Sequence, residues 1–150
     1  MPFSLCLVLG LTAFALQSAA PQVNPGLPPD FSAKFDRLFL SQEPLRYQDN
    51  RGFLASIQKA KLRPKERGLV RAKLKEFLSA KPKPRPYAPG SMYTGVASEI
   101  AFLRLQALQV LADIGTKEDA AFIGHLHARA DEHPLFDEES RKAIKRLETR

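Results

Sequence analysis

The stretch Val96-Ala97-Ser98-Glu99-Ile100-Ala101-Phe102-Leu103-Arg104-Leu105-Gln106-Ala107-Leu108-Gln109-Val110-Leu111-Ala112-Asp113-Ile114, closed by Gly115, decides the fold class. Apolar residues recur at helical spacing over about five turns without a proline, so the periodicity predicts one long amphipathic helix. Gly115 is expected to stop it in the left-handed geometry of a C-cap. Thr116 opens the next helix with Asp119 three residues on, the spacing of a capping box, and that helix is expected over 117–130. A third is expected from about Glu138 to Glu148, capped by Asp137. Glu138 and Glu139 fall in its first turn and Lys145 and Arg146 in its last, the charge order that the helix dipole favours. Three helices in a row joined by short turns read as part of a helical repeat, an architecture that binds other molecules.

Moving towards the N-terminus, 81–95 is expected to be a proline-rich basic linker. Lys81-Pro82-Lys83-Pro84-Arg85-Pro86 cannot continue a helix and favours polyproline II. Pro86-Tyr87-Ala88-Pro89 is formally a PxxP, but a stiff spacer is the expected role. Residues 30–80 form an N-terminal helical region. Asp30 is expected to cap a helix carrying Phe31, Phe35, Leu38 and Phe39 on one stripe. A second helix is expected over 51–60 with Phe53, Leu54 and Ile57 inward. A third starts at Pro64 with Leu69, Val70, Leu74, Phe77 and Leu78 on one face. No segment reads as a strand, so the expected class is all-α: helix pairs in a short array, or a compact bundle of five or six helices.

At the start of the chain, Phe3 to Leu16 is almost wholly apolar and ends in Gln17-Ser18-Ala19-Ala20. This is the pattern of a signal peptide over 1–20, followed by an extended lead-in at 21–29 with four prolines. The n-region has no Lys or Arg, and Pro21 follows the best cleavage point. The competing reading is an uncleaved anchor, although a span normally needs roughly 20 apolar residues. Export to a bacterial periplasm or the extracellular space is expected, with membrane contact only through the signal segment if it is uncleaved. Cys6, the single cysteine, lies inside the apolar run, so no disulfide is expected to support the mature part.

Residues 96–147 resemble the HEAT repeat family, particularly the short bacterial type. The resemblance rests on Leu103-Arg104 with Ala107, Leu111 and Ile114-Gly115. The pattern resumes at Asp137 and Arg141 with Ala143, Ile144 and Leu147. Arg104 and Arg141 stand 37 residues apart, within the range of short helical repeats. The resemblance covers about 50 residues, one repeat and the first helix of another, and the region 96–150 is taken as the HEAT-like part. It implies stacked helices, a protein-binding surface, and a bracing role for Arg104 and Arg141 between neighbouring helices.

Charge is concentrated in one place. The chain carries a net charge of +7, yet 59–85 alone carries +9, with eleven basic residues against Glu66 and Glu76. Arg71, Lys73, Lys75, Lys81, Lys83 and Arg85 are the candidate contacts for an anionic envelope polymer or nucleic acid. Such binding would weaken steeply with salt through counterion release. Stacking aromatics are nearly absent there, since Phe77 falls on the core face and only Tyr87 remains. His125, His127 and His133 are expected to be ordinary surface histidines. On a helix, i and i+2 side chains point about 200° apart, so His125 and His127 cannot share an ion. The mature part has no cysteine nucleophile, Gly-x-Ser-x-Gly elbow or phosphate-cradling glycine loop. The expectation is therefore an exported interaction module with an unidentified protein partner and no enzymatic activity. No metal, cofactor or small-molecule substrate is expected.

Overall fold

The computed structural model describes residues 26–81, 85, 86, 88, 96–126 and 133–150. The run read as an export signal, Cys6, Lys83 and His127 lie outside the described residues. Helix α1 is Phe31–Phe35, continued by a π-helical turn over Asp36–Leu40. Next come α2 (Tyr47–Lys59), α3 (Pro64–Ser79), α4 (Val96–Ile114), α5 (Lys117–Gly124) and α6 (Phe136–Glu148). No strand occurs among the described residues, and the class is all-α. None of their helices is long and apolar enough to cross a membrane.

Helix α4 is central. It packs against α2, α3 and α6, while α5 packs on α6. Leu103, Leu105, Ala107, Leu108, Val110, Leu111 and Ala112 are all buried. Those positions run most of the way round the helix, so the single amphipathic stripe expected here gives way to a helix enclosed on several sides. Leu111 is wholly enclosed. Leu111→Ala is expected to cost about 2–5 kcal/mol in urea unfolding. A loss below about 0.5 kcal/mol would place the residue outside the core.

The phenylalanine spacing explains the π-turn. Phe31, Phe35 and Phe39 recur every four residues, and an α-helix of 3.6 residues per turn would rotate each about 40° past the one before. The chain widens instead: the Ser41 N–H donates to the Asp36 carbonyl at 2.9 Å, an i to i−5 bond. All three rings stay buried on one side. Phe35 and Phe39 lie 4.6 Å apart between centroids, and Phe39 meets Phe77 edge-on at 5.1 Å. Leu38, expected on the same stripe, is only partly buried. Asp30 precedes α1, but its side chain makes no capping hydrogen bond.

The remaining helices follow their expected faces with local corrections. Helix α2 begins at Tyr47, before the expected Arg51, and buries Asn50 besides Phe53, Leu54 and Ile57. Helix α3 starts at Pro64 and buries Val70, Leu74, Phe77 and Leu78. Leu69 is 42% exposed, because one residue's 100° turn from Val70 carries it off the buried stripe. Gly115 does not adopt a left-handed conformation. Glycine is needed because a Cβ would lie 2.5 Å from the Leu111 carbonyl oxygen and 3.1 Å from both Asp119 and Leu147. Helix α5 ends at Gly124, short of the expected residue 130, where the His125 N–H is shared between the Ala121 and Phe122 carbonyls. Helix α6 begins at Phe136 after Leu135, which moves Asp137 from the cap into the acidic first turn.

The proline-rich stretch is attached to the body at its described residues. The Leu45 N–H donates to the Pro86 carbonyl at 2.8 Å, and the Ala88 N–H donates to the Leu45 carbonyl at 3.4 Å. An extended chain leaves its carbonyls unpaired, so it can dock in this way without a sheet. Helices before and after it share one apolar cluster, from Phe31 to Leu147.

Candidate functional site

The basic residues were the leading site candidates, and tertiary structure supplies most of them with partners. Arg71 Nε lies 2.5 Å from Asp119 Oδ2, and Lys75 Nζ lies 2.5 Å from Asp119 Oδ1. Arg71 Nη2 also donates to Thr116 Oγ1 at 2.8 Å. Asp119 itself has no exposed surface on its side chain. Burial pushes its carboxyl up, but hydrogen bonds from Arg71, Lys75 and the Thr116 N–H outweigh that, and the net shift is downward. Lys73 donates to Asp36 at 2.7 Å and to Glu76 at 3.0 Å, and the Asp36 hydrogen bond leads an upward shift of its ammonium. These three cations thus clamp α3 to α5 and to the π-turn. Among the described residues, the exposed cations of this segment without an ion pair are Lys61, Lys65, Arg67 and Lys81. Arg63 is paired with Glu66 at 2.7 Å, and the Arg63 contacts hold the Glu66 carboxyl down at about 2.

Arg85 reaches back to the π-turn. Its Nε donates to the Glu43 carbonyl and its Nη1 to the Leu38 carbonyl, both at 2.8 Å. The buried Asn50 Nδ2 donates to the same Leu38 oxygen at 2.5 Å. Ser41 Oγ donates to the Arg37 carbonyl at 2.6 Å, so the successive carbonyls of Asp36, Arg37 and Leu38 are all satisfied. Burial lowers the Arg85 pKa, with the more distant Glu43 charge opposing.

The two arginines expected to brace the repeat part company. Arg104 is 3% exposed; its Nη1 donates to the Phe77 carbonyl at 3.2 Å and its guanidinium lies 5.7 Å from the Phe136 ring centroid. It braces the C-terminal turn of α3 against the start of α6. Arg141 is exposed and makes no ion pair among the described residues, including with Asp137. No element described here covers that face of α6. The C-terminal Arg150 does the unexpected bracing: it donates to the Gly115 and Asp113 carbonyls at 3.1 and 3.0 Å, closing the end of α4.

An apolar edge completes the picture. Phe102 and Leu135 are each about half exposed, 48% and 49%. The His133 ring bridges them, 4.4 Å from Phe102 between centroids, with Nδ1 accepting from the Leu135 N–H at 3.1 Å. His125 is exposed. Helical spacing did carry a signal for this face, since the i+4 and i+7 neighbours of Phe102 are the polar Gln106 and Gln109. Close by in sequence, Glu99 is buried in the first turn of α4 with neither carboxylate oxygen hydrogen-bonded, and burial raises its pKa. The positive end of α4 offsets part of that cost. No family model, curated protein or solved structure matches this chain.

Proposed function

We propose that this chain is an exported helical module that holds a protein partner and performs no chemistry of its own. The observation that carries the reading is the edge formed by Phe102, His133 and Leu135. Two large apolar side chains, each linked to His133, lie half open on a body whose other large apolar residues, Leu69 apart, are largely enclosed. Exposed aromatic and aliphatic anchors around one polar group have the composition of a contact centre. The HEAT-like resemblance of 96–147 points to the same kind of role. The basic residues favour it indirectly, since Arg71, Lys73 and Lys75 are held by carboxylates of the fold.

Capture from an envelope extract at low and moderate salt tests the proposal. One stoichiometric protein retained at moderate salt, and lost with Phe102→Asp or Leu135→Asp, is the expected result. Lys61, Lys65 and Arg67, exposed and unpaired at the start of α3, support a second reading as contacts for an anionic polymer. Recovery of anionic polymer alone, released as salt rises, would shift the role to them and away from the apolar edge.

A further inference from the structure

A cavity of about 130 Å³ lies between the π-turn, α2, α3 and α4. Its lining includes the apolar residues Phe39, Leu45, Phe77, Ile100 and Leu103. The polar part of the lining is Ser41, Gln42, Asn50, Lys81, Arg85 and Arg104, and no Asp or Glu is among the described residues that line it. The charged side chains among the described lining residues are thus all cationic.

Arg85 is the informative group. Its guanidinium meets no carboxylate oxygen within 4.0 Å among the described residues, and its partners there are the carbonyls of Glu43 and Leu38. A guanidinium has five N–H donors, and those two bonds use two of them. Burial also works against its charge. The Glu43 side chain acts on Arg85 only as a charge without an ion pair; a bound anion would supply a direct partner, and a carboxylate matches the planar fork of arginine. The apolar lining residues set the rest of the ligand. A cavity of 150 Å³ lined by apolar side chains takes up benzene, so this one suits a compact ring or branched chain.

The geometry points to a binding site for a small organic monocarboxylate, its carboxylate on Arg85 and its apolar body against Phe39, Phe77, Ile100 and Leu103. Such a molecule would be held there as a ligand. The site is separate from the Phe102 edge, and neither reading depends on the other.

Benzoate is a suitable probe, titrated into the full chain and followed by NMR, with acetate and benzyl alcohol as controls. Benzoate is expected to bind at least about tenfold more tightly than either control. Its shifts should centre on the Asn50 side-chain amide and the Leu103 methyls, leaving Leu69 unmoved. Arg85→Gln is expected to weaken benzoate about tenfold or more. Ile100→Phe, which fills the cavity and leaves Arg85 in place, is expected to abolish it. Equal binding of benzyl alcohol would reduce the cavity to an apolar void, and equal binding of acetate would reduce it to a counterion position. Either result overturns the proposal, as does benzoate failing to shift Asn50 and Leu103 or binding unchanged to the Ile100→Phe protein.

Discussion

Asp119→Ala is expected to remove about 3–5 kcal/mol of stability, because deleting one member of an enclosed ionic cluster strands the others. Asp119 serves two elements at once. Its Oδ2 accepts the Thr116 N–H at 2.9 Å, closing the start of α5, and its two oxygens hold Arg71 and Lys75 of α3. The side chains of Arg71 and Lys75 are 19% and 32% exposed, so both can turn towards water, and the loss should fall at the lower end of the range. Asp119→Asn keeps an acceptor for the cap and loses the charge, so its smaller cost isolates the ionic part. A double-mutant cycle with Arg71→Ala in urea unfolding should show coupling above about 0.5 kcal/mol; additivity would mean that the pair contributes nothing. Acid tests the same contact. The folded-state pKa of Asp119 is lowered relative to the unfolded chain. Its contribution is therefore fully present above the unfolded value of about 3.9 and disappears as pH falls through the folded value. The wild-type protein should lose stability below about pH 4 more steeply than Asp119→Asn.

Phe35→Ala is expected to cost about 3–5 kcal/mol. Phe35 has no exposed surface and stands among Phe31 at 5.9 Å, Phe39 at 4.6 Å and Phe53 at 6.3 Å between ring centroids. Removing it leaves a void between rings that cannot all move inward. It also breaks aromatic contacts worth about 0.5–1.5 kcal/mol each beyond their area. Phe35→Leu should recover much of the loss, since it refills most of the volume. Guanidinium unfolding of both variants beside the wild type is the measurement, and a Phe35→Leu protein as stable as the wild type would show that the ring geometry contributes nothing beyond bulk.

The helices were legible where a single apolar stripe faces a single neighbour. Phe53, Leu54 and Ile57 in α2, and Val70, Leu74, Phe77 and Leu78 in α3, lie inward as their spacing predicts. Periodicity failed where geometry departs from 3.6 residues per turn, at the π-turn, and where a helix is enclosed on several sides, at α4. The charged cluster was illegible for a different reason. Lys73 finds Asp36 at a distance of 37 residues and Arg71 finds Asp119 at 48, so a local run of positive charge gave no hint of its partners. The cavity was hidden likewise, since Arg85 reads as part of a spacer and meets Leu38 only through the tertiary fold. The capping pair Thr116 and Asp119 was visible because its geometry is local, although its second task, holding α3, was not.

The Leu38 carbonyl joins three parts of the chain that are remote in sequence: the π-turn, α2 through Asn50, and the proline-rich stretch through Arg85. If the π-turn lets go, Asn50 and Arg85 each keep a donor that has lost its acceptor, so the three should release together. In the language of local unfolding they form one cooperative unit, smaller than the whole molecule. The amides of Ser41, Leu45 and Ala88 should exchange with solvent in step, while the enclosed amides of α4 wait for the bundle to come apart. The connection between the two groups of helices therefore belongs, in its motions, to the first of them.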